Sequence, residues 1–181
     1  MAPGPPSEAA VPPVRRLYPE PGQLQVRELL AGLALGSRAL TDRPYTIVNF
    51  VAAADGHAAY RGRSRWLSDD ADREIFHGLR EHVDAVMAGT GTLRAERYGR
   101  MVRDPERRRR RAARGLHPEA LAAVMSRSGE VPIDIPLFSD PGSRVVVFTP
   151  DELDTASLSA EVDVVRVDPG ELTLTTVMRR G

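Results

Sequence analysis

The sequence predicts an α/β fold with a mainly parallel sheet, and three features support this prediction. Apolar runs with few charges recur at 45–53, 84–89, 144–150 and 162–167. Segments with the apolar spacing of an amphipathic helix lie between several of these runs. Uncharged runs are typical of strands that are buried on both faces of a parallel sheet. Strands that alternate with helices in this way favour a sheet covered by helices.

The composition limits the classes of function. A chain of 181 residues is expected to form about one domain, and 25 basic against 25 acidic residues give a net charge of zero. No overall positive field therefore favours nucleic acid or an acidic membrane. The chain has no cysteine, which excludes disulfides, thiolate catalysis and sulfur ligands. Its four histidines, at 57, 77, 82 and 117, have no zinc-like spacing, so no metal is predicted.

No secretory or membrane-spanning segment is predicted. The first residues lack a basic start followed by an apolar core, and no run of about 18 apolar residues occurs. A cytoplasmic location is the resulting expectation. Residues 1–20 are predicted to form a disordered, proline-rich tail, since five prolines lie within the first 13 residues. The remainder, 21–181, is predicted to be one domain.

The first helix is predicted over 24–40, where leucines recur at helical spacing. Pro44 ends the segment, because a residue that precedes proline avoids helical angles. A buried strand at 45–53 follows. A second helix is expected to begin at a Ser68 cap, with acidic residues in its first turn. Its apolar face comprises Ile75, Phe76, Leu79 and Val83.

The second half continues the alternation. A short strand at 84–89 leads into a tight loop at 89–92 and a further helix. Residues 103–130 are charged and then polar, so they are predicted to form a surface insertion without a strand. Strands at 144–150 and 162–167 and a helix at 171–180 follow. Since no strand follows that helix, the chain is expected to be the front part of a larger domain.

Three loops are predicted to lie at the carboxyl ends of the strands, where parallel sheets bind ligands: 54–66, 89–96 and 149–151. The Gly-Thr-Gly-Thr sequence at 89–92 allows close backbone approach and presents N–H groups to an anion such as a phosphate. An ordinary glycine turn is the alternative for this motif.

The loop at 54–66 offers further candidates. Ser64 lies among Arg61, Arg63 and Arg65, which suit a sugar phosphate or form a solvated basic loop. Trp66 could stack on a flat ring or cover the core. Asp55 could act as an acid or belong to an Asp-Gly turn.

Two arginine features have simpler alternatives. Arg80 lies beside the apolar face of the second helix, near its C-terminal end, where a surface arginine would complement the helix dipole. The arginine run at 107–111 raises the possibility of nucleic-acid binding. It lacks interleaved aromatic residues, so the solvated face of an inserted helix is the simpler interpretation.

Taken together, several short motifs share one order along the chain. They are Arg43-Pro44-Tyr45, Asp55-Gly56, Gly62-Arg63-Ser64-Arg65-Trp66-Leu67-Ser68, Leu79-Arg80, Asp84-Ala85-Val86, and Gly89-Thr90-Gly91-Thr92-Leu93-Arg94-Ala95-Glu96. In this order the chain resembles the reductase domain of bacterial riboflavin biosynthesis, the pyrimidine reductase family that is related in fold to dihydrofolate reductase. The resemblance extends from Arg43 to about Gly99, with weaker agreement at 144–149.

The resemblance implies a three-layer, dihydrofolate-reductase-like fold and NADPH as the cofactor. It implies reduction of the ribosyl group of 5-amino-6-(5-phosphoribosylamino)uracil to a ribityl group, with hydride added at C1′. By position, it assigns substrate contacts to Ser64 and Arg80. It assigns cofactor contacts to Val51, Trp66, Thr92, Glu96 and Thr149. Gly89 and Gly91 are added to the predicted cofactor contacts as the backbone positions of the phosphate-binding loop.

Some residues depart from the family pattern. Ala53 stands where a serine is usual, and Pro150-Asp151-Glu152 stands where a basic residue would help to bind a 2′-phosphate. The later Glu-Gly-Gly-Pro motif is absent, which supports the expectation of an incomplete domain. The alternatives are a paralogue that acts on another small substrate and an inactive, truncated relative. The expected partner is a small molecule, with no nucleic acid and no membrane, and the family implies a possible homodimer.

Overall fold

The computed structural model describes residues 11–38, 40–61 and 64–180. Six strands and six α-helices lie in this part of the chain. In order they are β1 (Val14–Arg16), β2 (Gly22–Leu24), α1 (Val26–Gly32), α2 (Asp70–Leu79), β3 (Ala85–Gly89), α3 (Thr90–Glu96), α4 (Pro105–Ala113), β4 (Leu121–Met125), α5 (Pro136–Ser139), β5 (Arg144–Thr149), β6 (Glu161–Arg166) and α6 (Leu174–Arg180). Short 3-10 turns form at Leu35–Arg38 and Ser64–Leu67.

The main sheet has the strand order β3-β4-β5-β6, and every neighbouring pair is parallel. The carboxyl ends of the four strands therefore meet at one edge, formed by Gly89, Met125, Thr149 and Arg166. We call this the carboxyl edge, and the opposite one the amino edge. The predicted strands at 84–89, 144–150 and 162–167 are confirmed, as is the α/β fold class.

Helices cover both faces of this sheet, giving three layers. Alternate residues of β5 point to opposite sides: Val145 and Val147 pack with Leu93 of α3 and Phe138 of α5. Val146 and Phe148 pack with Val177 of α6 and with Leu172. A strand buried on both faces has no polar side, which explains why β5 is an uninterrupted apolar run. No helix in the described part is long and apolar enough to cross a membrane.

The helix α2 begins one residue later than predicted. Its cap is Asp69 rather than Ser68, because the Asp69 carboxylate accepts a hydrogen bond of 2.8 Å from the backbone N–H of Asp72. Asp70 and Asp72 lie in the first turn, as the dipole favours. The helix predicted over 24–40 is shorter than expected: α1 ends at Gly32, and a 3-10 turn follows.

The predicted strand at 45–53 is wrong. These residues are not part of a strand, and Val48 and Phe50 are 70% and 83% exposed. A strand needs a hydrogen-bonding neighbour along its length, and strand propensity alone does not provide one. The Asp55-Gly56 turn does form: Ala53 N donates to His57 O at 2.9 Å, and Gly56 has a φ of 86°.

The prediction that 103–130 contains no strand is also wrong. Residues Leu121–Met125 form β4, which lies inside the main sheet between β3 and β5. The strand was missed because it is short, contains two alanines and lies in a stretch that begins with a charged helix. Near the N-terminus, Val14–Arg16 of the predicted tail pair antiparallel with Gly22–Leu24. The boundary between tail and domain stays a prediction.

Candidate functional site

The first turn of α3 opens on the carboxyl edge. Gly89 ends β3 and is the N-cap of α3, so the predicted tight loop at 89–92 is the junction of strand and helix. A Cβ atom added to Gly89 or to Gly91 would meet no atom within 4 Å. Thr92 is exposed beside them. The backbone here therefore faces open space and leaves room for a bound group to approach closely.

The loops after β4 and β5 pack against each other on the same edge. Ser126 N donates to Phe148 O at 2.9 Å, and the Ser126 hydroxyl donates to Glu130 O at 2.8 Å. Gly129 has a φ of 80°, and a Cβ there would lie 1.8 Å from Oδ2 of Asp151. Only glycine fits this position without a local shift.

Thr149 is buried at the end of β5, and its hydroxyl oxygen accepts a hydrogen bond of 3.3 Å from Asp151 N. Next to it, an open cavity of about 380 Å³ is lined by Pro150, Arg166, Val167, Asp168 and Glu171. Arg166 also donates to the Glu152 carboxylate at 3.3 Å. Thr149 is thus followed directly by a residue that lines this cavity, whose charged lining is one arginine and two carboxylates.

The structure places Arg80 away from this edge. Arg111 donates to the carbonyl oxygens of Arg80 (2.5 Å) and Val83 (2.6 Å), just before β3 begins. The five residues of β3 span roughly 13 Å, so Arg80 and Gly89 lie at opposite edges of the sheet. Arg80, to which the resemblance assigns a substrate contact, therefore does not lie near the residues at 89–92.

The Arg80 side chain is held inside the protein. Its guanidinium donates to Met101 O at 2.9 Å and lies 4.4 Å from the ring centre of Phe76 and 5.5 Å from that of Tyr98. Burial lowers its pKa, and the Tyr98 side chain acts against this shift. These contacts give Arg80 a structural role that the alternative of a surface arginine did not include.

The remaining candidates are dispersed. Trp66 lies on the 3-10 turn before α2 and is 60% exposed, so it does not cover the core. Val51 is half-buried in the segment that precedes the Asp55-Gly56 turn. Glu96 ends α3, about 10 Å along the helix from the carboxyl edge. The Ser64 side chain and residues 62 and 63 lie outside the described part.

The arginine run at 107–111 contains inward-facing side chains, so the predicted solvated face is wrong for most of it. Arg107 donates to Glu81 at 2.5 Å and to Glu74 at 2.6 Å, and Arg110 donates to Glu81 at 2.7 and 2.9 Å. These contacts join α4 to α2. Glu74 lies in α2 and Glu81 in the turn that follows it, so no local spacing in the sequence indicates this pairing.

The pKa of Glu81 reflects its contacts with Arg107 and Arg110. Burial alone would raise the pKa of its carboxyl group, but the hydrogen bond from Arg110 and the charge of Arg107 bring the pKa below its usual value. Arg111 takes no part in this pairing. Its Nε donates to His117 O at 2.8 Å, in addition to its two bonds to the carbonyls before β3.

A second buried carboxyl group, Glu119, lies at the amino edge just before β4. Burial raises its pKa, although Val102 N donates to its Oε1 at 3.0 Å. Its Oε2 is 3.9 Å from Arg100 Nε, while the Arg100 guanidinium donates to Asp140 at 2.9 Å. Among the described residues, no three His, Asp or Glu side chains are placed to hold a metal ion.

This arrangement can be compared with known proteins. Residues 44–180 match the family described as the RibD C-terminal domain. The chain belongs to this family. The match includes β3 to β6 and the segment at 45–53, so the RibD family accounts for the sheet and its carboxyl edge. The resemblance found from the short motifs is thereby confirmed.

Two sequence relatives carry names from riboflavin biosynthesis or its chemistry. The chain is 31% identical over 105 residues to the 2,5-diamino-6-ribosylamino-4(3H)-pyrimidinone 5′-phosphate reductase of Archaeoglobus fulgidus, covering 58% of this chain and 48% of the relative. It is 28% identical over 126 residues to the riboflavin biosynthesis protein RibD of Mycobacterium tuberculosis, covering 68% of this chain and 35% of the relative. The chain thus spans about half or less of the length of these relatives.

A solved structure agrees at the level of the fold. The pyrimidine reductase-like protein from Corynebacterium diphtheriae superposes with a TM-score of 0.53 and 23% sequence identity, covering 66% of this chain and 55% of that one. This likeness supports the predicted α/β class, with its mainly parallel sheet flanked by helices.

Proposed function

We propose that the chain is a reductase that uses a reduced nicotinamide dinucleotide, with NADPH as the predicted form. The proposed substrate is 5-amino-6-(5-phosphoribosylamino)uracil, whose ribosyl group is reduced to a ribityl group. Membership of the RibD family and the names of the relatives support this proposal. The observation that carries it is the carboxyl edge, where the backbone at Gly89 and Gly91 faces open space.

The residues at this edge fit a dinucleotide. Gly89, Gly91 and Thr92 offer uncrowded backbone and a hydroxyl group to its phosphates, and Thr149 lies beside the cavity that can take its adenosine end. A bound reduced nicotinamide would supply the hydride that reduces C1′ of the opened sugar. The protein contributes binding and orientation, since two reacting centres must be held at close distance.

Other roles stay as predictions within this proposal. Trp66 and Val51 would contact the nicotinamide half, and Glu96 is kept as an acidic cofactor contact. Ser64 would contact the sugar of the substrate. A substrate contact by Arg80 would require its guanidinium to leave Met101 O and the two aromatic rings. A cytoplasmic location, a domain from residue 21 onward and a homodimer belong to the same proposal.

The test combines binding and turnover. Because Trp66 is the only tryptophan, its fluorescence is expected to change when NADPH is added to the chain. Oxidation of NADPH in the presence of the pyrimidine substrate, followed by its absorbance, measures the reaction. Turnover on another small substrate would favour the paralogue, and unchanged fluorescence together with no turnover would favour an inactive relative.

A variant at Gly91 tests the location of the site. Gly91→Val places a branched side chain in the open space beside β3, so NADPH affinity is expected to fall by about tenfold or more, which is about 1.4 kcal/mol. Gly36→Val is the matched control, because a Cβ at Gly36 also meets no atom within 4 Å but lies in the 3-10 turn after α1. Equal NADPH affinity in both variants would exclude Gly91 from the site.

A further inference from the structure

The cavity at the ends of β5 and β6 bears on which dinucleotide the chain binds. Thr149 and Arg166 are partners in the parallel ladder and are the last residues of these two strands. We call the cavity that opens beyond them the β5–β6 cavity, and its lining comprises Pro150, Arg166, Val167, Asp168 and Glu171. In the proposed function it takes the adenosine end of the dinucleotide, so its charge affects the choice between NADPH and NADH.

The charged side chains around the β5–β6 cavity are mainly acidic. Asp168 and Glu171 both line it and are both exposed to solvent. Arg166 is the cation among the described residues of the lining, and its guanidinium donates to the Glu152 carboxylate at 3.3 Å. Together, these three carboxylates and one guanidinium carry a net charge of −2. A lining of this charge repels a further anion.

NADPH and NADH differ at the ribose of the adenosine. NADPH carries a phosphate group on the 2′-oxygen, whereas NADH carries a hydroxyl group there. Sites for the 2′-phosphate commonly supply an arginine, and sites for the 2′-hydroxyl commonly supply an Asp or Glu that accepts its hydrogen bond. Asp168 and Glu171 are groups of the second kind. The lining therefore fits the ribose of NADH and does not fit the 2′-phosphate of NADPH.

Arg166 is the group that could receive a 2′-phosphate instead. Its pair with Glu152 leaves 64% and 87% of the two side chains exposed, and exposed pairs are weak, so a phosphate could displace Glu152. Asp168, two residues further along the chain, would still lie within the roughly 10 Å over which charges act at moderate salt. Its repulsion of the phosphate would remain and would oppose the gain from Arg166.

Asp168 is held beside the cavity by its backbone. Its carbonyl oxygen accepts hydrogen bonds from the N–H groups of Glu171 and Leu172, at 2.8 and 3.0 Å. Leu172 is only 1% exposed and packs in the core on one face of the sheet. This turn fixes the backbone of Asp168 two residues beyond the end of β6, while its carboxylate stays exposed.

We propose that the chain binds NADH in preference to NADPH, with Asp168 accepting a hydrogen bond from the 2′-hydroxyl group. NADPH uses the same backbone at Gly89 and Gly91 but binds more weakly, because its 2′-phosphate meets the carboxylates of the β5–β6 cavity. The form that the resemblance implies is then not the preferred one. This preference rests on the proposed function, because it concerns the same dinucleotide site.

Calorimetric titration with NADH and with NADPH tests the preference. The Kd of NADPH is expected to exceed that of NADH by about tenfold at low salt, which corresponds to about 1.4 kcal/mol. Raising the salt from about 0.01 M to about 1 M shortens the screening length from about 30 Å to about 3 Å, so the ratio is expected to fall toward one. A ratio that salt does not change would indicate a steric cause and refute the electrostatic one. Equal or tighter binding of NADPH at low salt would overturn the preference and leave the proposed function intact, whereas binding of neither would refute the proposed function.

Two variants test the residues. Asp168→Asn keeps the size of the side chain and removes one charge, and Glu152→Gln releases Arg166 from its partner. Each is expected to lower the ratio of the NADPH Kd to the NADH Kd by at least threefold. Glu161→Gln is the matched control, because it removes the same charge from the start of β6, roughly 17 Å away at the amino edge. A ratio unchanged in both test variants, or lowered equally by the control, would overturn the role of the cavity carboxylates.

Discussion

Replacing Arg111 is expected to cause a large loss of stability, because this side chain holds together three stretches of backbone. Arg111 is only 1% exposed. It donates to His117 O, Arg80 O and Val83 O at 2.8, 2.5 and 2.6 Å. The last two carbonyls lie after α2, just before β3, and the first lies before β4. Without Arg111, these acceptors must find water or remain unpaired.

The magnitude follows from the three carbonyls. An unsatisfied buried acceptor costs about 1–3 kcal/mol, so complete loss of three partners gives roughly 3–9 kcal/mol. Two effects reduce this value: water can reach some of the carbonyls, and removing a buried cation recovers its desolvation cost. We therefore expect Arg111→Met, which retains most of the side-chain volume, to lower the free energy of unfolding by about 3 kcal/mol. This is a large part of the roughly 5–15 kcal/mol available to a domain.

Urea denaturation followed by circular dichroism measures the effect. With a slope of about 2 kcal/mol/M, the midpoint is expected to fall by about 1.5 M. Arg109→Ala is the control from the same helix, because Arg109 is 69% exposed and pairs only with its neighbour Glu106 among the described ion pairs. Its midpoint is expected to change little. If Arg111→Met unfolded within 0.5 kcal/mol of the unmodified chain, on the scale of an exposed substitution, the bridging role would be disproved.

Two further substitutions test other parts of the structure. Glu81→Gln breaks the buried pairing with Arg107 and Arg110 and should cost about 3 kcal/mol at neutral pH. Because folding lowers the Glu81 pKa, its stabilisation is present above the unfolded value of about 4.3 and is lost as the pH falls through the folded value. The difference between the two chains should therefore shrink only in acid, and a constant difference would argue against ionic pairing. Gly129→Ala should cost about 2 kcal/mol from its left-handed backbone and the clash with Asp151. Asp151→Ala should recover about half of that loss in thermal unfolding, and no recovery would refute the clash.

Of the strands that were predicted correctly, β5 is the one whose burial is evident from its composition. β5 is buried on both faces, so Val145 to Phe148 are all apolar and its sequence contains no polar interruption. β4 is buried equally well but includes two alanines and follows α4 closely. Its burial depends on neighbours that come earlier and later in the chain, and a short window of sequence does not contain that information.

The candidate site was predictable where it depends on topology. Parallel strands place their carboxyl ends together, so Gly89, Gly91 and Thr149 could be assigned to one edge before the structure was known. Arg80 could not be placed, because its location depends on where Met101 and Tyr98 fold back against α2. The pairing of Arg107 with Glu81 likewise joins residues 26 positions apart. Pairing over such a separation is set by how helices pack rather than by local pattern.

The five arginines at 107–111 in α4 are identical in sequence but differ in their structural contacts. Arg107 and Arg110 donate hydrogen bonds to the Glu81 carboxylate. Arg108 donates to the carbonyl oxygens of Val102 and Arg103. Arg111 donates to the carbonyl oxygens that precede β3. Only Arg109 projects mainly into solvent. A library that randomises all five codons should therefore retain nearly any residue at 109 while recovering arginine at 111. In this helix, five identical neighbouring residues are therefore expected to differ in how well they tolerate substitution.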